Sequence, residues 1–91
     1  MQVDETFNIL IVDDRPENLL TLESILDSPE LNIIKASSGN EALALMWEHE
    51  FALVLLDVQM PIMDGFETAE IMRSREKTKN IPIIFITAIS K

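Results

Sequence analysis

Residues 53–65 read LVLLDVQMPIMDG, and this stretch determines how the rest of the chain folds. Four apolar residues lead directly into Asp57, and a Met-Pro step and Asp64-Gly65 follow. Such an apolar run is typical of a strand that is buried on both faces of a sheet. Asp64 and Glu67 have the spacing of a capping box, which predicts a helix after the turn. The stretch therefore predicts a buried strand that ends in a carboxylate, a sharp turn and a helix.

The size and composition of the chain limit what it can be. Its 91 residues are enough for one small domain, and its net charge of −9 argues against direct binding to a nucleic-acid backbone. The sequence has no cysteine, which excludes a disulfide framework and a thiolate metal site. The apolar runs are too short for a membrane span, and the acidic start MQVDETFN is wrong for a signal peptide. We expect a soluble cytoplasmic protein.

The same strand-and-helix pattern extends outward from residues 53–65 in both directions. Apolar runs rich in β-branched residues predict strands at 7–12, 31–36, 51–56 and 81–88. Between them, helices are predicted from Pro16 to about 26, over 37–50, and from Asp64 to about Arg75. The side chains predicted to face inward from these helices are Leu19, Leu22, Ile25, Leu26, Ala42, Leu43, Met46, Ala69 and Met72. Strands that alternate with helices predict a parallel sheet.

Polar side chains follow three of these strands where each strand ends. Asp13 and Asp14 follow the first strand, Asp57 the third, and Thr87 lies near the end of the fourth. In parallel α/β sheets, ligands bind outside the carboxyl ends of the strands, where the strand order reverses. If the first and third strands are neighbours, the three carboxylates meet in one crevice.

Three clustered carboxylates repel one another, so they favour a bound proton or a bound cation. Hard oxygen ligands prefer Mg²⁺, Mn²⁺ or Ca²⁺ to zinc, and an incompletely enclosed Mg²⁺ often accepts a phosphate group. An ionised carboxylate such as Asp57 is the nucleophile that aspartyl-phosphate chemistry requires. Thr87 offers a hydroxyl to a phosphate oxygen, with the small Ala88 beside it.

Three segments, ILIVDD, LVLLDVQMPIMDG and IPIIFITA, closely resemble the receiver domain of bacterial two-component response regulators. The motifs occur in the order and spacing of that family, and the resemblance covers essentially the whole chain. It implies a flavodoxin-like, doubly wound parallel sheet of strand order 2-1-3-4. It also implies a phosphorylatable signalling switch that catalyses at most its own phosphorylation and dephosphorylation, rather than an enzyme.

The resemblance assigns a role to each motif residue. It implies that Asp57 is the phosphoacceptor and takes its phosphoryl group from a histidine kinase. It implies that Mg²⁺ (or Mn²⁺) is held by Asp13, Asp14, Asp57 and the backbone carbonyl of Gln59. Thr87 would be the switch hydroxyl that moves toward the phosphoryl group.

The sequence departs from the family pattern in one way. The family has a fifth strand that ends in a lysine, followed by a last helix, whereas this chain stops at Lys91, beyond the fourth strand. We therefore expect residues 1–91 to form a single receiver domain that is incomplete at its carboxyl end, without the fifth strand and the last helices. The fourth strand would then be an open apolar edge, which predicts self-association through it.

Other interpretations of these residues remain open at this stage. An aspartyl-phosphate phosphatase and a protein-interaction module that is not phosphorylated are the rival functions. Asp13 and Asp14 alone could be turn or cap residues before Pro16. His49 is expected to be a structural residue at a helix end, and Trp47 a partly buried packing residue. The run from Arg73 to Lys79 is expected to be solvated.

Overall fold

The computed structural model describes residues 5–87, which form a parallel four-stranded sheet with three helices. The strand order is β2-β1-β3-β4, so the predicted order 2-1-3-4 is confirmed. The elements in chain order are β1 (Phe7–Val12), α1 (Pro16–Ile25), β2 (Leu31–Ala36), α2 (Gly39–Glu48), β3 (Leu53–Asp57), α3 (Gly65–Ser74) and β4 (Ile83–Ile86). Whether the domain is incomplete at its carboxyl end stays a prediction.

The apolar side chains of the central strands divide between the two faces of the sheet. Leu10, Val12, Val54 and Leu56 pack under α2 and α3, where they form the larger core together with Met46 and Met72. Ile9, Ile11 and Leu55 pack under α1 in a smaller core. Because β1 and β3 are covered on both faces, their sequences are continuous apolar runs rather than alternating ones.

The helix starts follow from the residues that precede them. Asp64 and Glu67 form a complete capping box at α3, as predicted. At α2, the Ser38 hydroxyl accepts a hydrogen bond from the Glu41 N–H at 3.0 Å, but the Glu41 carboxylate accepts from the N–H of Ser37 instead of Ser38. Ser38 and Glu41 have the spacing of a capping box, but only half of the box is formed.

Several sequence expectations need correction at the element ends. β3 begins at Leu53 rather than 51, and β4 spans only Ile83–Ile86, while Ala88 lies outside the described residues. Ile25 points to solvent, because α1 covers its face of the sheet with Leu19, Leu22 and Leu26 alone.

The segment after α3 is not simply a solvated loop. Thr78 is buried, and its hydroxyl donates a hydrogen bond to the carbonyl of Met72 at 2.7 Å, which ties the loop to the end of α3. Arg73 donates to the carbonyls of Lys79 and Ile81 at 2.8 and 2.9 Å, so one of the basic residues holds the chain that leads into β4.

Trp47 lies near the carboxyl end of α2 and is 63% exposed, which corrects the expectation of partial burial. The guanidinium of Arg75 lies 5.6 Å from the centroid of the Trp47 ring, so the ring makes a cation–π contact at the surface rather than packing in the core.

Within residues 5–87, none of the helices is long and apolar enough to cross a bilayer.

Candidate functional site

β1 and β3 are neighbours in the sheet and end at the same edge. Val12 is paired with Leu56, so Asp13 and Asp57 are the next residues of adjacent parallel strands. The N–H of Asp13 donates to the carbonyl of Ala36 at 3.1 Å, and the N–H of Val58 donates to the carbonyl of Ile86 at 3.1 Å. These hydrogen bonds tie the backbone after β1 to β2 and the backbone after β3 to β4.

The three acidic side chains meet at this edge. Asp13, Asp14 and Asp57 each offer a carboxylate oxygen, and these oxygens all lie within 4.8 Å of one another. Asp13 and Asp57 are each only 3% exposed, whereas Asp14 is exposed to solvent. The crevice that was predicted from neighbouring first and third strands therefore forms, with two buried carboxylates and one at its mouth.

The two buried carboxylates differ in how firmly they are held. The Asp13 carboxylate accepts hydrogen bonds from the Arg15 N–H at 3.0 Å and the Asn18 side-chain amide at 3.1 Å, one on each oxygen. The Asp57 carboxylate accepts one longer bond, 3.3 Å, from the Gln59 N–H. Asp13 is thus oriented by α1, whereas Asp57 keeps an oxygen without such a bond from the described residues.

The carboxyl group of Asp57 binds its proton more tightly than an ordinary aspartate does. Burial raises the pKa of Asp57, and the charges of Asp13 and Asp14 act in the same direction, while the bond from the Gln59 N–H partly opposes them. The pKa is raised because ionisation puts a charge in a partly dry crevice, and that charge is the third negative one there, after those of Asp13 and Asp14. A cation bound among the three carboxylates would reverse this effect.

Thr87 follows β4 at the same edge of the sheet. Ile86 is paired with Asp57, which places Thr87 one residue beyond that pair. Thr87 and Asp13 border a common open cleft of about 300 Å³, together with Arg15, Asn18 and Ile86. The structure therefore brings Thr87 to the side of the acidic crevice that α1 borders.

The loop between β3 and α3 is anchored tightly to the end of β3. The Gly65 N–H donates to the carbonyl of Val58 at 3.1 Å, and a Cβ on Gly65 would overlap the carbonyl oxygen of Asp57. Only glycine allows the start of α3 to approach β3 so closely. Gln59 lies at the start of this loop with its side chain exposed, and the buried Met60 secures the loop to the core.

Two features of the site region were not predicted. Asn18 was missed as a partner of Asp13, although a polar residue in the first turn of a helix after Asp13 is a usable signal. Ile62 has a φ of +72°, which nothing in its apolar, β-branched side chain indicates.

His49 lies at the other end of the sheet, where its ring centroid is 5.9 Å from that of Phe51, as expected for a structural residue.

A parallel sheet of this order with an acidic crevice at its carboxyl edge defines a class of signalling domains. Residues 9–91 match the response regulator receiver domain, and the chain belongs to this family. Receiver domains are phosphorylatable switches rather than conventional enzymes, and they accept phosphoryl groups from histidine kinases. The phosphatase alternative is therefore not supported.

Individual relatives agree with the family assignment. The chain is 37% identical over 83 residues to the sensor protein GacS of Pseudomonas syringae, which covers 88% of this chain and 9% of that protein. The N-terminal domain of a response regulator receiver protein from Methanoculleus marisnigri superimposes with a TM-score of 0.86 at 35% identity, covering 93% of this chain and 69% of that one. The response regulator TrrA of Thermotoga maritima, solved with Mg²⁺-BeF, gives 0.81 at 35% identity, covering 93% and 72%.

Proposed function

We propose that this chain is a signalling switch of a two-component phosphorelay, in which Asp57 accepts a phosphoryl group from a histidine kinase. One observation carries the proposal: Asp57 is buried at the end of β3, with oxygens of Asp13 and Asp14 within 4.8 Å of its own. A buried acidic cluster with a raised pKa is costly for a structural role alone. Membership of the receiver family supports the same role.

The transfer step needs only one nucleophile from this chain. An ionised Asp57 oxygen attacks the phosphorus of a phosphohistidine, the phosphorus–nitrogen bond breaks, and its electron pair stays on the imidazole. The product is an acyl phosphate on Asp57, which carries roughly −1.5 to −2 charges in place of the single charge of the carboxylate. Asp13 is already fixed by Arg15 and Asn18, so it cannot swing away from that new charge without losing two hydrogen bonds.

The donor set also fits a magnesium ion. Three carboxylates supply hard oxygen ligands, and we propose that Asp13, Asp14, Asp57 and the backbone carbonyl of Gln59 hold Mg²⁺ (or Mn²⁺). When bound, the ion supplies positive charge against the transferring phosphoryl group. The Mg²⁺-BeF complex of TrrA supports this assignment by similarity.

We assign to Thr87 the role of a switch hydroxyl. Thr87 is exposed beside the crevice and borders the same cleft as Asp13. Its hydroxyl would donate a hydrogen bond to a phosphoryl oxygen on Asp57. Such a contact would bias the chain after β4 toward a second arrangement, which is how a local charge becomes a signal.

The phosphoacceptor role is tested by intact mass after incubation with acetyl phosphate and Mg²⁺. We expect the wild-type chain to gain one phosphoryl group, and Asp57→Ala to gain none. Asp27→Asn is the matched control, because Asp27 is an exposed aspartate outside the crevice, and it should behave as wild type. A gain that persists in Asp57→Ala, or no gain in the wild type, would contradict the proposal, and the latter result would favour an interaction module.

Beyond the kinase, we propose that the chain acts in the cytoplasm and associates with itself through β4. Within residues 5–87, β4 pairs only with β3, and Ile84 and Phe85 remain substantially exposed. An apolar strand with an open edge recruits another strand. The net charge of −9 opposes association, so salt should strengthen it.

Sedimentation velocity over a range of concentration and salt tests this association. We expect dimers or larger species that increase with salt, and we expect Ile84→Lys to reduce them. A monomer at every concentration and salt would refute this part of the proposal without affecting the phosphoacceptor role.

A further inference from the structure

Ile62 lies at the tip of the loop that connects β3 to α3, and its conformation is unusual for its side chain. It is 97% exposed and has a φ of +72°. The carbonyl of Pro61 accepts a hydrogen bond from the N–H of Met63 at 2.7 Å, which closes a three-residue turn centred on Ile62. Turns of this kind with a positive central φ are rare and strained.

Both local properties of Ile62 are unfavourable in the isolated chain. A β-branched residue with a positive φ is a steric outlier, and glycine or asparagine would adopt the same backbone more easily. An isoleucine that is almost fully exposed also gains nothing from burial. The neighbouring methionines are different, since Met60 lies in the core and Met63 packs against it.

The loop holds Ile62 at a fixed place relative to the phosphoacceptor. Its start is tied by the Gln59 N–H to the Asp57 carboxylate, and its end by the Gly65 N–H to the Val58 carbonyl. Met60 secures the middle of the loop in the core. A protein that presents a phosphohistidine to Asp57 must approach the same edge of the sheet, where the loop tip stands.

We propose that Ile62 is an apolar docking contact for the protein phosphodonor and enters an apolar depression beside its phosphohistidine. This inference rests on the proposed function of Asp57. The three carboxylates give a donor protein no apolar contact, and Ile62 supplies one on the loop that follows Asp57. A small phosphodonor such as acetyl phosphate needs only the crevice and does not depend on Ile62.

The test compares two phosphodonors on the same variants. One donor is acetyl phosphate, and the other is a phosphorylated histidine phosphotransfer domain. Several such domains are compared first, and the one that transfers fastest to the wild-type chain is used. The variants are Ile62→Asn and Ile62→Leu. The matched control is Ile25→Asn, because Ile25 is also an exposed isoleucine but is the last residue of α1, at the opposite end of the sheet.

We expect Ile62→Asn to react with acetyl phosphate at the wild-type rate and with the protein donor roughly tenfold more slowly, mainly through a higher KM. Its melting temperature should equal or exceed that of the wild type, since asparagine relieves the strained φ. Ile62→Leu should keep most of the protein-donor rate, and Ile25→Asn should change neither rate. Because the apolar contact is not ionic, the difference should persist at high salt.

Equal transfer from the protein donor to the wild type and Ile62→Asn would overturn the docking contact. An equal loss with both donors would also overturn it, since Ile62 would then act by holding the loop rather than by touching the donor. A loss of self-association in Ile62→Asn with unchanged transfer would assign the residue to a second copy of the chain instead. No transfer to wild-type Asp57 from either donor would contradict the proposed function itself, which is a distinguishable result.

Discussion

β3 and β4 lie side by side in register, have similar apolar sequences, and are buried to very different extents. Leu55 is paired with Ile84 on the same face of the sheet, yet Leu55 is 7% exposed and Ile84 is 52% exposed. β3 has β1 on one side and β4 on the other, whereas β4 has only β3 within residues 5–87. The comparison shows that the burial of a strand depends on its neighbouring strands rather than on its composition. Asp57 lies at the end of β3, the strand that is paired on both sides.

The largest expected effect comes from truncating the four-carbon side chain of each member of this pair to the methyl group of alanine. Leu55→Ala should lower the free energy of unfolding by about 2–4 kcal/mol, because it leaves a cavity under α1. Ile84→Ala should lower it by about 1 kcal/mol or less, because much of that side chain is already in water. Urea denaturation of both variants measures the difference, and equal losses would contradict the stated contrast between the strands.

The carboxyl end of β3 is closed by the backbone of α3, and this can be tested by comparing the glycines that begin α3 and α2. Gly65→Ala should cost about 2 kcal/mol, because the added Cβ meets the carbonyl of Asp57 and the backbone of Val58. Gly39→Ala should cost less, since its added Cβ meets the side chains of Thr68 and Met63, which can shift. Thermal melting of the two variants decides the order, and a larger loss at Gly39 would count against backbone closure at β3.

Asp57 should make the end of β3 less stable when it is ionised without a cation. Its pKa is raised in the folded chain, so the folded state binds the proton more tightly than the unfolded state, and stability falls as pH rises through that range. Asp57→Asn cannot ionise and should therefore be more stable than wild type near pH 7, with a higher Tm in thermal melting.

The advantage of Asp57→Asn should shrink toward about pH 4, where the wild-type carboxyl is increasingly protonated. Added Mg²⁺ should raise the Tm of the wild type more than that of the variant. A constant difference between the two proteins at all pH values would show that ionisation is not its cause.

The smallest expected effect concerns the aromatic pair that partly covers β4. The rings of Phe66 on α3 and Phe85 on β4 have centroids 5.0 Å apart at an interplanar angle of 45°. A double-mutant cycle with Phe66→Ala and Phe85→Ala should give a coupling energy of about 0.5–1 kcal/mol. Phe66→Ala combined with Ile84→Ala is the control cycle, because Ile84 lies on the opposite face of β4 and should show no coupling.

Most of the fold could be predicted from the sequence, because strands that are buried on both faces, such as β1 and β3, have continuous apolar sequences. Their unbroken apolar runs, each followed by aspartate, predicted parallel strands, and Asp13, Asp14 and Asp57 were expected to meet if β1 and β3 were neighbours. The strand order that makes them neighbours was implied by the family resemblance. The ends of β3 and β4 were less exact, since strand ends depend on pairing with a neighbour rather than on residue type. The roles of Gln59 and Thr87 stay predictions.

The features that were missed depend on contacts between distant residues or on backbone dihedrals. Thr78 looks like a surface residue among charged neighbours, and only its bond to the carbonyl of Met72 explains its burial. Ile25 fits the apolar spacing of α1, but Leu22 and Leu26 on either side of it pack on the sheet while Ile25 itself points to solvent. The φ of Ile62 is set by the closure of its loop, which apolar periodicity does not record.

The placement of the single tryptophan has a practical consequence for spectroscopy. Trp47 lies near the carboxyl end of α2, and since α2 runs opposite to the parallel strands, its indole is at the far end of the sheet from Asp57. The guanidinium of Arg75 lies over its ring, so we expect its emission to report how the last turn of α2 sits against the end of α3. A fluorescence titration with Mg²⁺ would thus report little of the binding itself, whereas a change in that signal would mean that the effect had travelled the length of the domain.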